Sequence, residues 1–234
     1  MRTGRKIAAL LAFLMAGPGV AAAAPVVVEL YTSQGCSSCP PADEALAALA
    51  AHDDVIALSL HVDYWDYMGW KDTFGDPVYS HRQKAYARAR GHMSVYTPQF
   101  IIQGEDVIVG NRPIEIMDRI EAHRADPEPV ELELRRMSNG EVEIVLRPRD
   151  GFPLGACDVQ IAEFLPEATV KVQRGENAGR TIRYANVVRR WEKVDTWPGT
   201  REKRLRVKLS GDRPFAVIVQ KEGYGPVVAA AVGR

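Results

Sequence analysis

The sequence predicts an α/β domain followed by an all-β domain. Strand-like and helix-like runs alternate as far as Arg124, whereas from Val130 onward apolar residues recur with a period of two. A short segment with two prolines, 126–129, separates the two patterns. We therefore expect an α/β domain over 24–127 and an antiparallel, sandwich-like β domain over 128–234.

The N-terminal segment 1–23 has the composition of a secretory signal peptide. Three basic residues lie among the first six, and residues 7–15 form an apolar stretch too short to span a bilayer. Small residues around Ala23 fit a cleavage site. We expect a periplasmic or secreted bacterial protein with no transmembrane segment in its mature chain, and an uncleaved membrane anchor is the alternative. Disulfides are permitted in that compartment.

The elements of the first domain follow one another in a regular order. The apolar, valine-rich run Pro25–Tyr31 predicts a strand, and Pro40–Leu49 predicts a helix with proline in its first turn. Val55–Val62 predicts a second strand, and the next helix begins after Asp76 as N-cap and ends at Gly91. Two short strands and a last helix complete the order β-α-β-α-β-β-α: Gln99–Gln103, Asp106–Gly110 and Pro113–Arg124.

The second domain consists of alternating apolar and polar runs. Asn139-Gly140 predicts a hairpin turn between the first two of about eight strands. The further runs are Val159–Phe164, Val170–Gln173, Thr181–Arg189, Leu205–Leu209, Phe215–Gln220 and Val227–Val232. None of these runs carries a catalytic constellation.

The two domains differ in formal charge. Residues 24–127 hold 8 basic and 15 acidic side chains, a charge of −7, whereas 128–234 hold 19 and 15, a charge of +4. Neither domain is basic enough to indicate nucleic-acid binding. Opposite charges and a short linker favour docking of the two domains.

Cys36-Ser37-Ser38-Cys39 is the motif with the clearest chemistry. It lies between the first strand and the first helix, so Cys36 is at a helix entrance, where unpaired N–H groups and the helix dipole favour a thiolate. Cys39, one turn along, is placed to resolve a mixed disulfide formed on Cys36. The same spacing also occurs in half of a zinc site and in an inert bridge.

Aromatic residues follow the second strand on the same sheet edge. Asp63, Tyr64 and Trp65 are candidates for the wall of a groove beside the thiols, and an aromatic cover of the core is the alternative reading. The histidines show no HxH or HxxxH spacing, so we predict no metal site. The loop Gly175–Gly179 is either a structural turn or a contact surface for the sheet edge that carries Cys36 and Cys39.

Cys157 is left over when the other two cysteines pair locally. We expect a buried free thiol there, and intermolecular pairing is the alternative.

The first domain resembles the thioredoxin superfamily, in which a CxxC motif opens the first helix. The resemblance implies that Val95-Tyr96-Thr97-Pro98-Gln99 is the segment in which a cis-proline lies against that motif. It makes Pro98 a candidate catalytic residue and Thr97 and Gln99 candidates for the substrate groove. Glu29 lies seven residues before Cys36, one more than the buried acid of thioredoxins; a proton relay and a solvent-facing glutamate are both possible readings.

Longer motifs resemble a family of secreted bacterial proteins, domain of unknown function 1223. They are residues 31–43 around the CxxC motif, His61–Asp66, Tyr96–Gln99 and Arg174–Arg180. The resemblance covers nearly the whole mature chain and implies an architecture, since the family has no settled biochemical role.

The leading hypothesis is an exported thiol-disulfide oxidoreductase acting on protein thiols and disulfides of the cell envelope. Cys36 is its nucleophile, Cys39 resolves, and no cofactor is needed. The second hypothesis is a non-catalytic envelope scaffold with a structural Cys36–Cys39 disulfide. The third is a copper chaperone that uses both thiolates, although no soft ligand is adjacent in sequence.

Overall fold

The computed structural model describes residues 24–233, so the predicted signal peptide lies outside the described part of the chain. The first half has the predicted order β-α-β-α-β-β-α. Its helices are α1 Pro40–Leu49, α2 Pro77–Ala89 and α3 Pro113–Arg124, and its strands are β1 Val26–Thr32, β2 Val55–His61, β3 Gln99–Ile102 and β4 Asp106–Val109. The second half contains β5 Val130–Arg136, β6 Glu141–Pro148, β7 Cys157–Lys171, β8 Thr181–Trp197, β9 Lys203–Lys208, β10 Phe215–Lys221 and β11 Val227–Gly233.

The fold is mixed α/β and is dominated by one large sheet. Eight strands pair in the order β11-β10-β7-β8-β2-β1-β3-β4, and β5-β6-β9 form a second, smaller sheet. β1 is parallel to β2 over seven residues and antiparallel to β3. None of the helices among residues 24–233 has the length and apolar composition to cross a bilayer.

The large sheet crosses the boundary predicted near residue 127. β8 pairs in parallel with β2 at Ser59 and Val187, so four strands of the second half extend the sheet of the first. The predicted sandwich is therefore not a self-contained pair of sheets, because one of its two layers is shared with the α/β half. Periodicity gives the faces of each strand but not its partner, which is why the sequence did not predict this junction.

β7 is also longer than expected. The sequence divided it into two runs, whereas the structure has one strand that pairs with β8 on both sides of Pro166. The two strands form a long hairpin whose connecting loop, 172–180, reaches the sheet edge where the CxxC motif lies.

Helices cover both faces of β1 and β2. Val28 and Leu30 pack against apolar residues of α1 and α3 such as Leu46, whereas Val27 and Tyr31 face Tyr79 and its neighbours on α2. Strands buried on both faces read as continuous apolar runs, which explains the sequence of β1.

The cores join the two halves of the chain. Val27 and Tyr31 of β1 share a core with Phe164, Val188 and Ile218 from the second half. The hydroxyl of Tyr79 on α2 donates a hydrogen bond to the backbone oxygen of Val188 at 2.9 Å. A further core fills the space between the small sheet and strands β7, β10 and β11. The core on the α2 face of the large sheet is therefore built from both halves of the chain.

We therefore expect residues 24–233 to unfold in one calorimetric transition. Limited proteolysis near Glu128 should be slow, and the span 24–127 expressed alone should fail to give a cooperative transition, because it exposes β2 and the apolar face beneath α2. Two fragments that melt as they do in the intact chain would contradict this expectation.

Candidate functional site

Cys36 and Cys39 form a disulfide at the entrance of α1. Their Cα atoms are 5.4 Å apart, and Cys39 directly precedes the helix. The N–H of Cys36 donates to the oxygen of Ser33, and the N–H of Cys39 donates to the oxygen of Cys36, so the motif is a tight turn. Pro40 and Pro41 have no N–H, and the first helical turn needs none. The predicted position of the motif is confirmed.

Both cysteines are covered. Cys36 and Cys39 have 0% exposed surface, whereas Ser37 and Ser38 between them are exposed. The sulfur of Cys36 lies 3.4 Å from the hydroxyl oxygen of Ser38. Side chains or backbone around the turn must therefore move before an incoming thiolate can reach either sulfur. A surface groove lies elsewhere, between α1 and the β7–β8 hairpin, and neither cysteine lines it.

Trp65 forms one wall of the turn. A Cβ atom on Gly35 would lie 3.2 Å from the Cβ of Trp65, so a side chain at position 35 would displace the tryptophan. The indole N–H of Trp65 donates to the hydroxyl of Thr97 at 2.7 Å. Trp70 contacts the same turn through a 2.8 Å bond from its indole N–H to the side-chain oxygen of Gln34.

The other groove candidates have partners on α2. The hydroxyl of Ser80 donates to Asp63 at 2.5 Å, and the hydroxyl of Tyr64 donates to Gln83 at 3.0 Å. The amide of Gln83 in turn donates to Gln99 at 2.8 Å. Asp63, Tyr64 and Gln99 thus connect β3 and the aromatic segment, residues 63–70 after β2, to α2. Trp65, with its partner Thr97, lies closer to the CxxC turn.

Thr97 and Pro98 precede β3, the strand beside β1. Their peptide bond is cis, as the resemblance to thioredoxins implied. The backbone oxygen of Pro98 accepts from the N–H of Gly110 at 2.9 Å, which ties the segment to the end of β4.

Glu29 is buried and paired, so the solvent-facing interpretation is wrong. Its side chain is 0% exposed and receives two hydrogen bonds from Arg82, at 2.7 and 2.8 Å. The hydroxyls of Tyr31 and Tyr86 donate to the same carboxylate, each at 2.9 Å. Glu29 also lies on the α2 face of β1, opposite the α1 face, so the carboxylate is saturated by partners away from the CxxC turn.

A buried polar cluster beneath α1 was missed by the sequence analysis. Asp43 lies one turn after Cys39, and its N–H donates to the oxygen of Cys39 at 3.0 Å. Facing it are Thr32 and His61, which end β1 and β2 and are paired in the strand register. The ring of His61 also stacks edge-on against Tyr184 of β8, with ring centroids 4.7 Å apart.

Several polar atoms of this cluster are unpartnered. Within residues 24–233, both carboxylate oxygens of Asp43, Nε2 of His61 and the hydroxyls of Thr32 and Tyr184 have no hydrogen-bond partner. Buried polar atoms are normally bonded, and unbonded ones mark sites of chemistry or bound water. The one signal in the sequence was an acidic residue on the apolar face of α1, at the position equivalent to Leu46 one turn later.

Burial controls the charge of Asp43. Desolvation raises the pKa of this carboxyl to about 7, although the charge of His61 and the nearby Thr32 hydroxyl favour the ionised form. Asp72 behaves oppositely: burial raises its pKa, but the charge and the 2.8 Å hydrogen bond of His61 outweigh this effect and lower it. Asp72 also accepts the N–H of Gln34 at 2.7 Å, so the cluster is linked to the CxxC turn.

A loop from the second half contacts the CxxC turn. The side-chain amide of Asn177 donates to the backbone oxygens of Gln34 at 3.0 Å and Cys36 at 2.8 Å. The N–H of Ser37 donates to the carboxylate of Glu176 at 3.2 Å. Of the two interpretations of this loop, contact with the CxxC edge is the one that the structure supports.

Cys157 is the first residue of β7, in the second half of the chain. Cys157 is a buried free thiol, as expected, and burial raises its pKa. In the described part of the chain, no group of three His, Cys, Asp or Glu side chains is placed to hold a metal ion.

Fold and site define a mixed α/β protein that carries a disulfide at a helix entrance. The chain belongs to the family described as "Protein of unknown function (DUF1223)", whose sequence profile matches residues 27–220. A search of the curated proteins finds no match.

Two solved structures resemble this one. An X-ray structure of a protein from Agrobacterium tumefaciens is 34% identical, with a TM-score of 0.77, over 91% of this chain and 95% of that one. HBP35 of Porphyromonas gingivalis is 16% identical, with a TM-score of 0.62, over 90% of this chain and 74% of that one, which shows a similar fold alone.

Proposed function

We propose that this protein is an exported, thioredoxin-like thiol-disulfide oxidoreductase that acts on protein thiols and disulfides of the cell envelope. The observation that supports this most is the Cys36–Cys39 disulfide at the entrance of α1, with a buried, unpartnered carboxyl one turn further along the helix. Helix entrances lower thiol pKa values and so favour exchange.

The reaction is an exchange of one disulfide for another. A substrate thiolate attacks the sulfur of Cys36, the Cys36–Cys39 bond breaks, and its electron pair leaves on Cys39. A second substrate thiolate then attacks the substrate sulfur of the mixed disulfide and releases Cys36 as a thiolate. The substrate loses two electrons and becomes a disulfide, and the protein gains them as two thiols; the reverse sequence reduces a substrate.

Asp43 is suited to hold the proton that this exchange moves. Since burial raises its pKa to about 7, its protonated and ionised forms are both accessible near neutral pH. We propose that Asp43 supplies a proton to the Cys39 thiolate when the disulfide opens and takes it back when the bond reforms. Glu29 does not fit this role, because Arg82 and two tyrosine hydroxyls already occupy its carboxylate.

A non-catalytic scaffold is the second candidate. The observation in its favour is that both cysteines are without exposed surface, as structural disulfides usually are. The two candidate functions predict different midpoint potentials for the Cys36–Cys39 couple. The CxxC couples of thioredoxin-like oxidoreductases lie between roughly −270 and −120 mV, whereas structural disulfides lie below about −300 mV. Equilibration of the mature protein in glutathione buffers therefore separates them.

In the reduced protein, alkylation across pH should modify Cys36 before Cys39, since thiols at helix entrances have pKa values of about 3.5 to 7.5. A Cys39→Ser variant should accumulate mixed disulfides with envelope proteins, and Cys36→Ser should not. Cys157→Ser is the control and should behave like the wild type. Equal labelling of both positions, with no trapped partner, would count against the exchange mechanism.

A further inference from the structure

The loop that contacts the CxxC turn comes from the far end of the β7–β8 hairpin. We call residues 174–180 the strap. Its contacts are the two hydrogen bonds from the side chain of Asn177 and the bond that Glu176 accepts from Ser37. Trp70 packs beside it, because a Cβ atom on Gly175 would lie 3.3 Å from the Cβ of Trp70. The strap is therefore held on both the cysteine turn and the aromatic segment.

Asn177 is the buried anchor of the strap. The residue is 1% exposed, and both N–H groups of its side-chain amide donate hydrogen bonds to backbone oxygens, one on each side of Gly35. Both partners are acceptors, so the position requires a donor, and an aspartate there would face two carbonyl oxygens with a negative charge. The side-chain oxygen of Asn177 has no partner among residues 24–233. Asn177 thus holds the backbone of the CxxC turn through two hydrogen bonds.

The strap is bound to the backbone beside the buried sulfur of Cys36. Cys36 has no exposed surface, and the exposed residue next to it, Ser37, is the one that Glu176 contacts. A thiolate must approach the sulfur of Cys36 along the line of the S–S bond, and since Cys36 has no exposed surface, the turn or the strap bound to it has to move first. Gly175 and Gly179 have φ values of +75° and +83°, a region that favours glycine, and they flank the two contacting residues.

We propose that Asn177 is a positioning residue that sets which thiols reach Cys36: its two hydrogen bonds hold the strap on the cysteine turn, and a substrate must displace the strap to form the mixed disulfide. This inference rests on the proposed function. The strap favours exchange with flexible, exposed protein thiols that can enter beside it. It slows exchange with thiols held in folded surfaces. The specificity therefore comes from the second half of the chain, although both cysteines lie in the first.

The test is the rate at which dithiothreitol reduces the disulfide in the intact mature protein. Asn177→Ala removes two hydrogen bonds and should raise the second-order rate constant about tenfold, since each bond contributes a fewfold factor to the closed state. Asn177→Gln, which keeps the amide donor, should restore part of the slow rate. Glu176→Ala changes an exposed residue and should raise the rate about threefold, so the proposal stays testable if Asn177→Ala does not fold.

Val142→Ala is the matched control for general destabilisation. Val142 is fully buried in the core beneath the small sheet, which contains neither Cys36 nor Cys39, so the substitution should lower the melting temperature without changing the reduction rate. Reduction of Asn177→Ala and Glu176→Ala at the wild-type rate would overturn the proposal. A wild-type midpoint potential below about −300 mV would refute the oxidoreductase function instead, even if the strap variants were reduced faster.

Discussion

Replacement of Glu29 by alanine is expected to lower the free energy of unfolding by about 3–5 kcal/mol, the usual cost of removing one partner of a buried ion pair. The substitution leaves the guanidinium of Arg82 buried without its carboxylate, 5% exposed and stacked 4.0 Å from the ring of Trp191. It also removes the acceptor for Tyr31 and Tyr86. Urea unfolding at neutral pH measures the effect.

Glu167→Ala is the control for this prediction. It breaks the pair with Arg183, in which the side chains are 55% and 72% exposed, and should cost less than about 1 kcal/mol. We expect the Cys36–Cys39 midpoint potential of the Glu29→Ala protein to equal that of the wild type. A changed potential with unchanged stability would instead support the proton-relay role that the position of Glu29 in β1 first suggested.

The second large effect concerns Asp43 and pH. In the folded protein the pKa of this carboxyl is about 7, against an ordinary value of 3.8, so between these values the folded state holds a proton that the unfolded chain has lost. Stability from this group is therefore greatest below about pH 4, falls as pH rises toward 7, and is constant above that. The total loss is roughly 4 kcal/mol, at 1.36 kcal/mol for each unit of pKa shift.

Asp43→Asn should remove this loss, because an amide stays neutral at every pH. The difference in unfolding free energy between Asp43→Asn and wild type should grow in favour of the variant between pH 4 and 7. Asp53→Asn, at an exposed position beyond the end of α1, is the matched control and should show no such trend. A difference that does not vary with pH would mean that Asp43 is ionised throughout and would remove its proposed role as proton donor.

The order of elements in the first half was predictable because each one carries its own local signal. Proline in the first turn, the N-cap Asp76 and runs of β-branched residues depend on neighbours only a few positions away. The place of Cys36 and Cys39 at a helix entrance followed from the same signals. The cis bond before Pro98 came from the resemblance to thioredoxins, since local sequence alone does not specify it.

The site around the cysteines was only partly predictable. Trp65 was expected beside the turn and contacts it, but its neighbours Asp63 and Tyr64 bond to α2 instead. The position of Glu29 in β1 was correct, whereas its face of the sheet and its partner Arg82, fifty-three residues away, were not apparent. Asp43 was not singled out from the sequence, because the burial of a first-turn acid depends on what packs above it.

The sequence by itself determined the local structure of the first half, the two periodicities and the place of the CxxC motif, because propensity, capping and hydrophobic period act over a few residues. Only the tertiary structure decided that β8 joins β2 in one sheet, that Asn177 clasps the backbone of Cys36 from 141 residues away, and that Asp43 is buried beside His61. Strand partners and burial depend on contacts between distant segments, and a strand's period does not specify which edge it will meet. The position of the two cysteines at a helix entrance is therefore set by nearby residues. The contact from Asn177 and the burial of Asp43 are set by distant segments of the chain.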